Sequence, residues 1–196
     1  MDSNSKSTLS SILASFFIVF RRIVLLIFTP YATMRKISLE TDYAQIYIIL
    51  GLVSAYFMAS GIEKLPVFLL NFSLTLLIFK IMGRVFNKDL KESSLVFTLF
   101  YSLIPTLIWF TFTYALYQFL PPPRTFSMLG KAFSIFYVCF SLSILLWKGI
   151  LEYLALRFSI KRGFYAIVYT LLFYLVYLTY FSTIMYRLGL SKVPFI

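Results

Sequence analysis

The stretch AFSIFYVCFSLSILLWKGILEYLAL, residues 132–156, decides the fold class of this chain. It exceeds the roughly 18 apolar residues that mark a helix able to cross a bilayer. Two charged residues, Lys148 and Glu152, interrupt it four positions apart, and residues at that spacing lie on one face of a helix. The stretch therefore predicts a membrane-spanning helix with a polar face.

The composition extends this prediction to the whole chain. Of its 196 residues, 61% are hydrophobic and 13% are charged, whereas a soluble domain carries about 25% charged residues. The mean hydropathy is +0.89. We therefore expect an all-α integral membrane protein.

Five apolar segments read as transmembrane helices of one bundle, and a sixth precedes them. The five are residues 43–62, 66–83, 93–119, 132–156 and 164–184. The earlier segment, 9–29, contains Arg21 and Arg22, each of which costs about 2.5–3.5 kcal/mol at a span centre. We expect it to lie at the membrane interface as an N-terminal amphipathic helix. If it crosses instead, the chain has six spans and the N-terminus moves outside.

This division gives two parts. Residues 1–42 are predicted to hold a cytoplasmic tail, the interfacial helix and a short basic link over 30–42, and residues 43–196 form the five-span domain. With the N-terminus inside, twelve of the 18 basic residues fall on the inner side. Because basic residues concentrate in cytoplasmic loops, we expect a cytoplasmic N-terminus and a C-terminus on the opposite side. The net charge of +11 therefore indicates orientation, and no nucleic-acid partner is expected.

The polar residues inside the spans are the candidates for a site. Three interpretations of Lys148 and Glu152 stay open: a polar contact inside the bundle, side chains reaching the interface, or an ion or proton relay. Lys148 is expected to point toward Glu152 or toward the Ser and Thr stripe that includes Ser102 and Thr106. Pro105 should kink this helix, either as a hinge beside a cavity or within ordinary helix packing.

The basic inner face supplies a second group of candidates. Six residues there could hold anionic lipid headgroups or simply set the orientation: Arg21, Arg22, Arg35, Lys36, Lys80 and Arg84. Membrane lipids are therefore expected partners. A protein bound at the cytoplasmic face, or a second copy of the chain, is a further one.

Enzyme chemistry has little support in the residues. The chain has no His and one Cys, so the commonest general base and metal ligand is missing. Six of the seven acidic residues fall in predicted tails or loops, and Glu152 is the exception. No metal-ligand spacing, phosphate-binding loop or nucleophile motif occurs. We expect no catalytic residue, metal or cofactor.

Three segments in order resemble one family. IFTPYATMRKISLETDYAQIYIIL (27–50) ends an apolar helix at Pro30 and continues through a basic link into a span. KDLKESSLVFTLFYSLIPTLIWF (88–110) carries an aromatic-Ser-x-x-Pro element. LLWKGILEYLALRFSIKRGFYAIVYTLL (145–172) is a Trp-bearing helix that ends in Leu-Arg before the last span. Together they resemble the Yip domain family, the Rab/Ypt-interacting-protein type, in its prokaryotic-like branch.

The resemblance implies a five-helix membrane protein with a cytoplasmic N-terminus and a role in membrane organisation or trafficking. We therefore expect a non-enzymatic, multi-pass scaffold or adaptor. Two alternatives remain: a small transporter or channel component that uses the polar faces of spans three and four, and an accessory subunit of a larger membrane complex.

Overall fold

The computed structural model describes residues 3–86, 90–119 and 127–187, and this part of the chain is helical with no strand. The helices follow in the order α1 (Ser3–Phe28), α2 (Pro30–Ile37), α3 (Ala44–Ser60), α4 (Leu65–Phe86), α5 (Glu92–Tyr101), α6 (Leu103–Phe119), α7 (Met128–Ile160) and α8 (Gly163–Arg187). A short 3-10 turn, Ile62–Lys64, joins α3 to α4.

The N-terminal part differs from the prediction at both ends of its apolar segment. Helix α1 begins at Ser3, within the region predicted as a polar tail. The predicted link over 30–42 contains helix α2, with Pro30 in its first turn. Proline suits that position because its fixed φ matches the helix and its missing N–H is not needed there. Thr33, Met34 and Ile37 are buried, so packing of one face stabilises this short helix.

Helices α3 and α4 are joined by a short turn that begins at Gly61. Its φ is +130°, a conformation that L side chains rarely adopt, so glycine is favoured there. Thr75 and Asn71, on α4, are buried, and the Asn71 side-chain amide donates to the Tyr177 hydroxyl at 2.6 Å.

The third predicted span is divided in two. Helices α5 and α6 meet at Ser102, three residues before Pro105. Proline has no N–H for the carbonyl of Tyr101, and its ring crowds that carbonyl, so the regular ladder is interrupted there.

Helix α7 is the central element of the fold. Its 33 residues extend about 50 Å at 1.5 Å per residue, longer than the roughly 30 Å hydrocarbon core. It packs against α5, α6 and α8 and also contacts α2 and α4. The Ser127 hydroxyl caps its N-terminus by accepting from the Gly130 N–H at 3.0 Å. Lys161, with φ of 60°, ends it.

Among the described residues, three helical stretches are long and apolar enough to cross a membrane: Ile62–Val85, Glu92–Phe119 (α5 and α6 together) and Met128–Ile160. Two more apolar helices are shorter over their described residues, Ala44–Ser60 and Gly163–Tyr177. Large apolar side chains are exposed along these helices, Leu70, Phe164 and Leu175 among them. Such a surface is unfavourable in water and suits contact with lipid, so membrane localisation is supported.

Candidate functional site

Two clusters of polar side chains lie where the helices meet. The first, called the charge-pair site, consists of Lys148 and Glu152 on α7 with Thr106 and Trp109 on α6. The second, called the N-terminal clamp, joins α1 to the segment before α3 and to α5. The residues of the clamp are Ser15, Arg22, Glu40, Asp42, Gln45 and Tyr101.

Lys148 and Glu152 form an ion pair inside the helix bundle. Their side chains are 9% and 4% exposed, and Lys148 Nζ lies 3.9 Å from Glu152 Oε1. That separation is too long for a hydrogen bond. A buried charge pair without good hydrogen bonds recovers little of its desolvation cost, so this pair contributes little net stability. Losing one partner would leave the other charge uncompensated.

A small cavity adjoins Lys148 on the side of α6. Its volume is about 20 Å³, and its lining includes Thr106, Trp109 and Ser141. A cavity above roughly 10–15 Å³ can hold one water molecule. The Thr106 hydroxyl is buried without a hydrogen-bond partner among the described residues. Trp109 Nε1 donates to the Ser141 hydroxyl at 2.8 Å. The arrangement therefore brings a cation and polar groups of α6 and α7 to one point.

Helix α8 closes the other side of the charge pair. Tyr174 of α8 lies next to Glu152, and within the part of the chain that the structure describes neither Glu152 Oε2 nor the Tyr174 hydroxyl has a hydrogen-bond partner. Gly149 lies beside the Tyr174 ring, where a Cβ would lie 3.6 Å from the ring, an ordinary van der Waals contact.

Of the predicted polar stripe, Thr106 lines the Lys148 cavity and Ser102 does not. The Ser102 hydroxyl donates to the Leu99 carbonyl at 2.8 Å, at the break between α5 and α6. The Thr98 hydroxyl likewise donates to the Ser94 carbonyl at 2.6 Å. Such bonds to the preceding turn satisfy hydroxyls locally and often bend helices. Pro105 is buried at the start of α6.

The N-terminal clamp is built around Arg22. Its guanidinium forms an ion pair with Glu40 and donates to Gln45 Oε1 at 2.6 Å. The Tyr101 hydroxyl donates to the same oxygen at 2.7 Å, and the guanidinium lies 5.9 Å from the centre of the Tyr101 ring. One residue of α1 therefore binds the segment before α3, α3 itself and α5.

Asp42 supplies the second contact of the clamp. It accepts from the Ser15 hydroxyl at 2.7 Å and from the Ala44 N–H at 3.1 Å. A carboxylate beside the first N–H groups of α3 is also favoured by the helix dipole.

The clamp lowers the pKa of both carboxyl groups. Partial burial acts to raise the pKa of Glu40, but the hydrogen bond and charge of Arg22 outweigh it, so the pKa lies below its ordinary value. Partial burial also acts to raise the pKa of Asp42, and hydrogen bonds from Ser15 and Gln45 outweigh it. Both carboxylates are therefore held in the charged form.

The six basic residues predicted to meet headgroups have different surroundings. Arg22 is in the clamp. Lys80 and Arg84 both form ion pairs with Glu92, and Lys80 Nζ lies 2.8 Å from Glu92 Oε2. Arg21, Arg35 and Lys36 are exposed. Sequence reasoning did not find the clamp, although two acids directly before an apolar helix were a signal for a cationic partner.

The described residues hold no group of three or more His, Cys, Asp or Glu side chains that could bind a metal ion. Cys139 is exposed on α7.

Comparisons of the chain with models of protein families, with curated proteins and with solved structures find no match. The resemblance to the Yip domain family therefore stays a prediction from the sequence.

Proposed function

We propose that this chain is a five-span membrane protein that acts without catalysis, as a Yip-like scaffold or adaptor in membrane organisation or trafficking. Three helices of spanning length support the topology, and α3 and α8 would supply the other two spans. Helix α3 has 17 residues and α8 has 25, which correspond to about 25 and 37 Å. The cytoplasmic end would then carry α2 and the junction of α7 with α8.

The observation that carries the scaffold proposal is the N-terminal clamp. A scaffold needs a surface whose shape stays constant, and a loosely attached helix would not provide one. Arg22 and Asp42 fasten α1 at one end of the bundle through partners on α3 and α5. Helix α2 is held at the same end because Tyr31 packs against Phe158 of α7 at 5.3 Å.

Affinity purification from the native membrane in mild detergent tests this proposal. A specific protein should co-purify in fixed stoichiometry with the wild-type chain. It should be lost with Arg22→Gln, which opens the clamp, and retained with Arg21→Gln, which removes the neighbouring exposed charge. Equal recovery with both variants, or no stoichiometric partner, would contradict the proposal.

A transporter component is the second candidate, and the charge-pair site favours it. Ionisable residues within spans commonly mark ion pathways, and Lys148 borders a cavity shared by α6 and α7. Purified protein in liposomes distinguishes the two functions. The scaffold proposal predicts no protein-dependent flux of protons or small ions. Flux that Lys148→Met abolishes, and that Lys131→Met leaves intact, would establish the transporter instead.

A further inference from the structure

We propose that the face of α2 that points away from the helix bundle binds the phosphate of one anionic phospholipid. Arg35 and Lys36 are its cationic ligands. The proposal rests on the membrane topology proposed above. Of the six basic residues predicted to bind headgroups, it assigns two to a specific lipid site.

A surface cavity marks this face. Its volume is about 330 Å³, and it is lined by Tyr31, Ala32, Arg35, Lys36 and Leu39. These positions recur at intervals of three and four, so they lie on one side of the α2 segment. The opposite side, with Met34 and Ile37, is fully buried. The cavity therefore opens away from the bundle.

The positive charge at this cavity has no counterion among the described residues. Every described carboxylate at this end of the bundle is engaged elsewhere: Glu40 by Arg22, Asp42 by Ser15, Gln45 and the Ala44 N–H, and Glu92 by Lys80 and Arg84. No carboxylate of the described residues lies within ion-pair distance of Arg35 or Lys36. Arginine and lysine with free donors are the usual ligands of phosphate oxygens.

A third cation, Arg157, contacts Tyr31, the aromatic residue that lines the cavity. The Arg157 guanidinium lies 5.3 Å from the centre of the Tyr31 ring, and it donates to the Tyr153 hydroxyl at 3.1 Å. With Phe158 also against it, Tyr31 is held between α2 and α7. The site is thus bordered by two elements and gains positive potential from a residue that is distant in sequence.

The apolar rim identifies the ligand as a lipid. Tyr31 is 46% exposed and Leu39 is 68% exposed, on either side of the basic residues. Free phosphate would leave both uncovered, whereas the glycerol and upper acyl chain of a phospholipid would cover them. An aromatic residue beside basic residues is typical of the membrane interface, where anionic lipids bind basic clusters.

Native mass spectrometry of the full chain in detergent, titrated with phosphatidic acid or phosphatidylcholine, tests the site. The wild type should bind one phosphatidic acid in preference to phosphatidylcholine. Arg35→Gln with Lys36→Gln should weaken that binding roughly 30-fold, since each cation near an anionic surface contributes about 1 kcal/mol. The matched control, Arg21→Gln with Lys91→Gln, removes two exposed charges that do not line the cavity and should change the affinity less than about threefold.

Three results would overturn the proposal. Equal weakening by both double variants would show diffuse attraction to the basic end. Unchanged binding in the Arg35 and Lys36 variant, at unchanged helical content by circular dichroism, would place the lipid elsewhere. Displacement of the lipid by an equal concentration of inorganic phosphate would show that Tyr31 and Leu39 do not contribute to binding and that the site recognises phosphate alone. If no stoichiometric protein partner co-purifies with the wild-type chain while phosphatidic acid still binds, the scaffold proposal is refuted and the lipid site stands.

Discussion

At the scale of single residues, the charge pair of α7 is energetically costly to bury. Lys148 and Glu152 are both buried, and their closest atoms are too far apart for a hydrogen bond. Each ion loses several kcal/mol of hydration on burial, so the pair persists only because the two charges compensate each other.

Substitution of one partner should therefore be far more harmful than substitution of both. Lys148→Met alone should lower the free energy of unfolding by about 3–5 kcal/mol, because Glu152 is left as an unpaired buried charge. Lys148→Met with Glu152→Met should lie within about 1 kcal/mol of the wild type. Reversible unfolding in mixed detergent micelles measures both. Equal losses in the single and double variants would mean that the charges do not compensate each other.

The clamp carboxylates should make the attachment of α1 dependent on pH. Because the pKa of Glu40 and of Asp42 is lowered by folding, their contribution is complete above the unfolded values, about 4.3 and 3.9. It is lost as the pH falls through the folded values. Acidification should release α1 while the rest of the bundle remains folded.

Spin labels on α1 and α3 would detect this release. Phe17 and Tyr47 are exposed at 72% and 73%, and both can be replaced by cysteine after Cys139→Ser. The distance distribution between the labels should be narrow near neutral pH and broaden in acid. Glu40→Gln with Asp42→Asn should give a broad distribution at every pH. A narrow, pH-independent distribution in that variant would show that the clamp does not hold α1.

At the scale of elements, the turn between α3 and α4 depends on one glycine. An L residue at Gly61 would have to adopt φ of +130°, and its Cβ would lie 2.5 Å from Glu63 Oε1. Gly61→Ala should therefore destabilise the protein by about 1–3 kcal/mol through backbone strain. Gly51→Ala is the matched control, since nothing lies within 4 Å of a Cβ there, and helix propensity predicts a gain of about 1 kcal/mol. Detergent unfolding curves that move in the same direction for both variants would contradict this account.

The elements also show what the sequence could predict. Long apolar runs identified α4, α7 and α8 to within a few residues, because a helix must satisfy its backbone wherever lipid excludes water. The break at Ser102 was harder to predict from the sequence, because a proline in a span can either kink a helix or end it. Helix α2 was missed because its stability comes from Met34 and Ile37 packing on distant elements, which the local polar composition does not reveal.

The candidate site was predictable to a similar degree. Lys148 and Glu152 stood out because charges are rare in apolar runs. The clamp joins Arg22 to Glu40 and Gln45, and Gln45 to Tyr101, across separations of 18 to 56 residues. Pairings at that distance follow from the packing of α3 against both α1 and α5, so the sequence showed basic residues without showing which of them were neutralised.

At the scale of the whole molecule, the proposed scaffold surface is one end of the bundle. The clamp, α2 and the junction of α7 with α8 lie at that end, and the predicted inner loops give it most of the basic residues. Exposed apolar side chains cover the flanks, where lipid would surround them. This surface lies in the cytoplasm only if α1 stays on that side and five spans cross, namely α3, α4, α5 together with α6, α7 and α8.

Cysteine accessibility in intact membranes tests that arrangement most directly. In a Cys139→Ser background, single cysteines at Ser5, Lys64, Ser127 and Lys161 would be labelled with a membrane-impermeant maleimide before and after permeabilisation. We expect labelling of Lys64→Cys and Ser127→Cys from outside, and labelling of Ser5→Cys and Lys161→Cys only after permeabilisation. Labelling of Ser5→Cys from outside would show that α1 crosses the membrane, and labelling of positions 64 and 161 from the same side would contradict the five-span bundle.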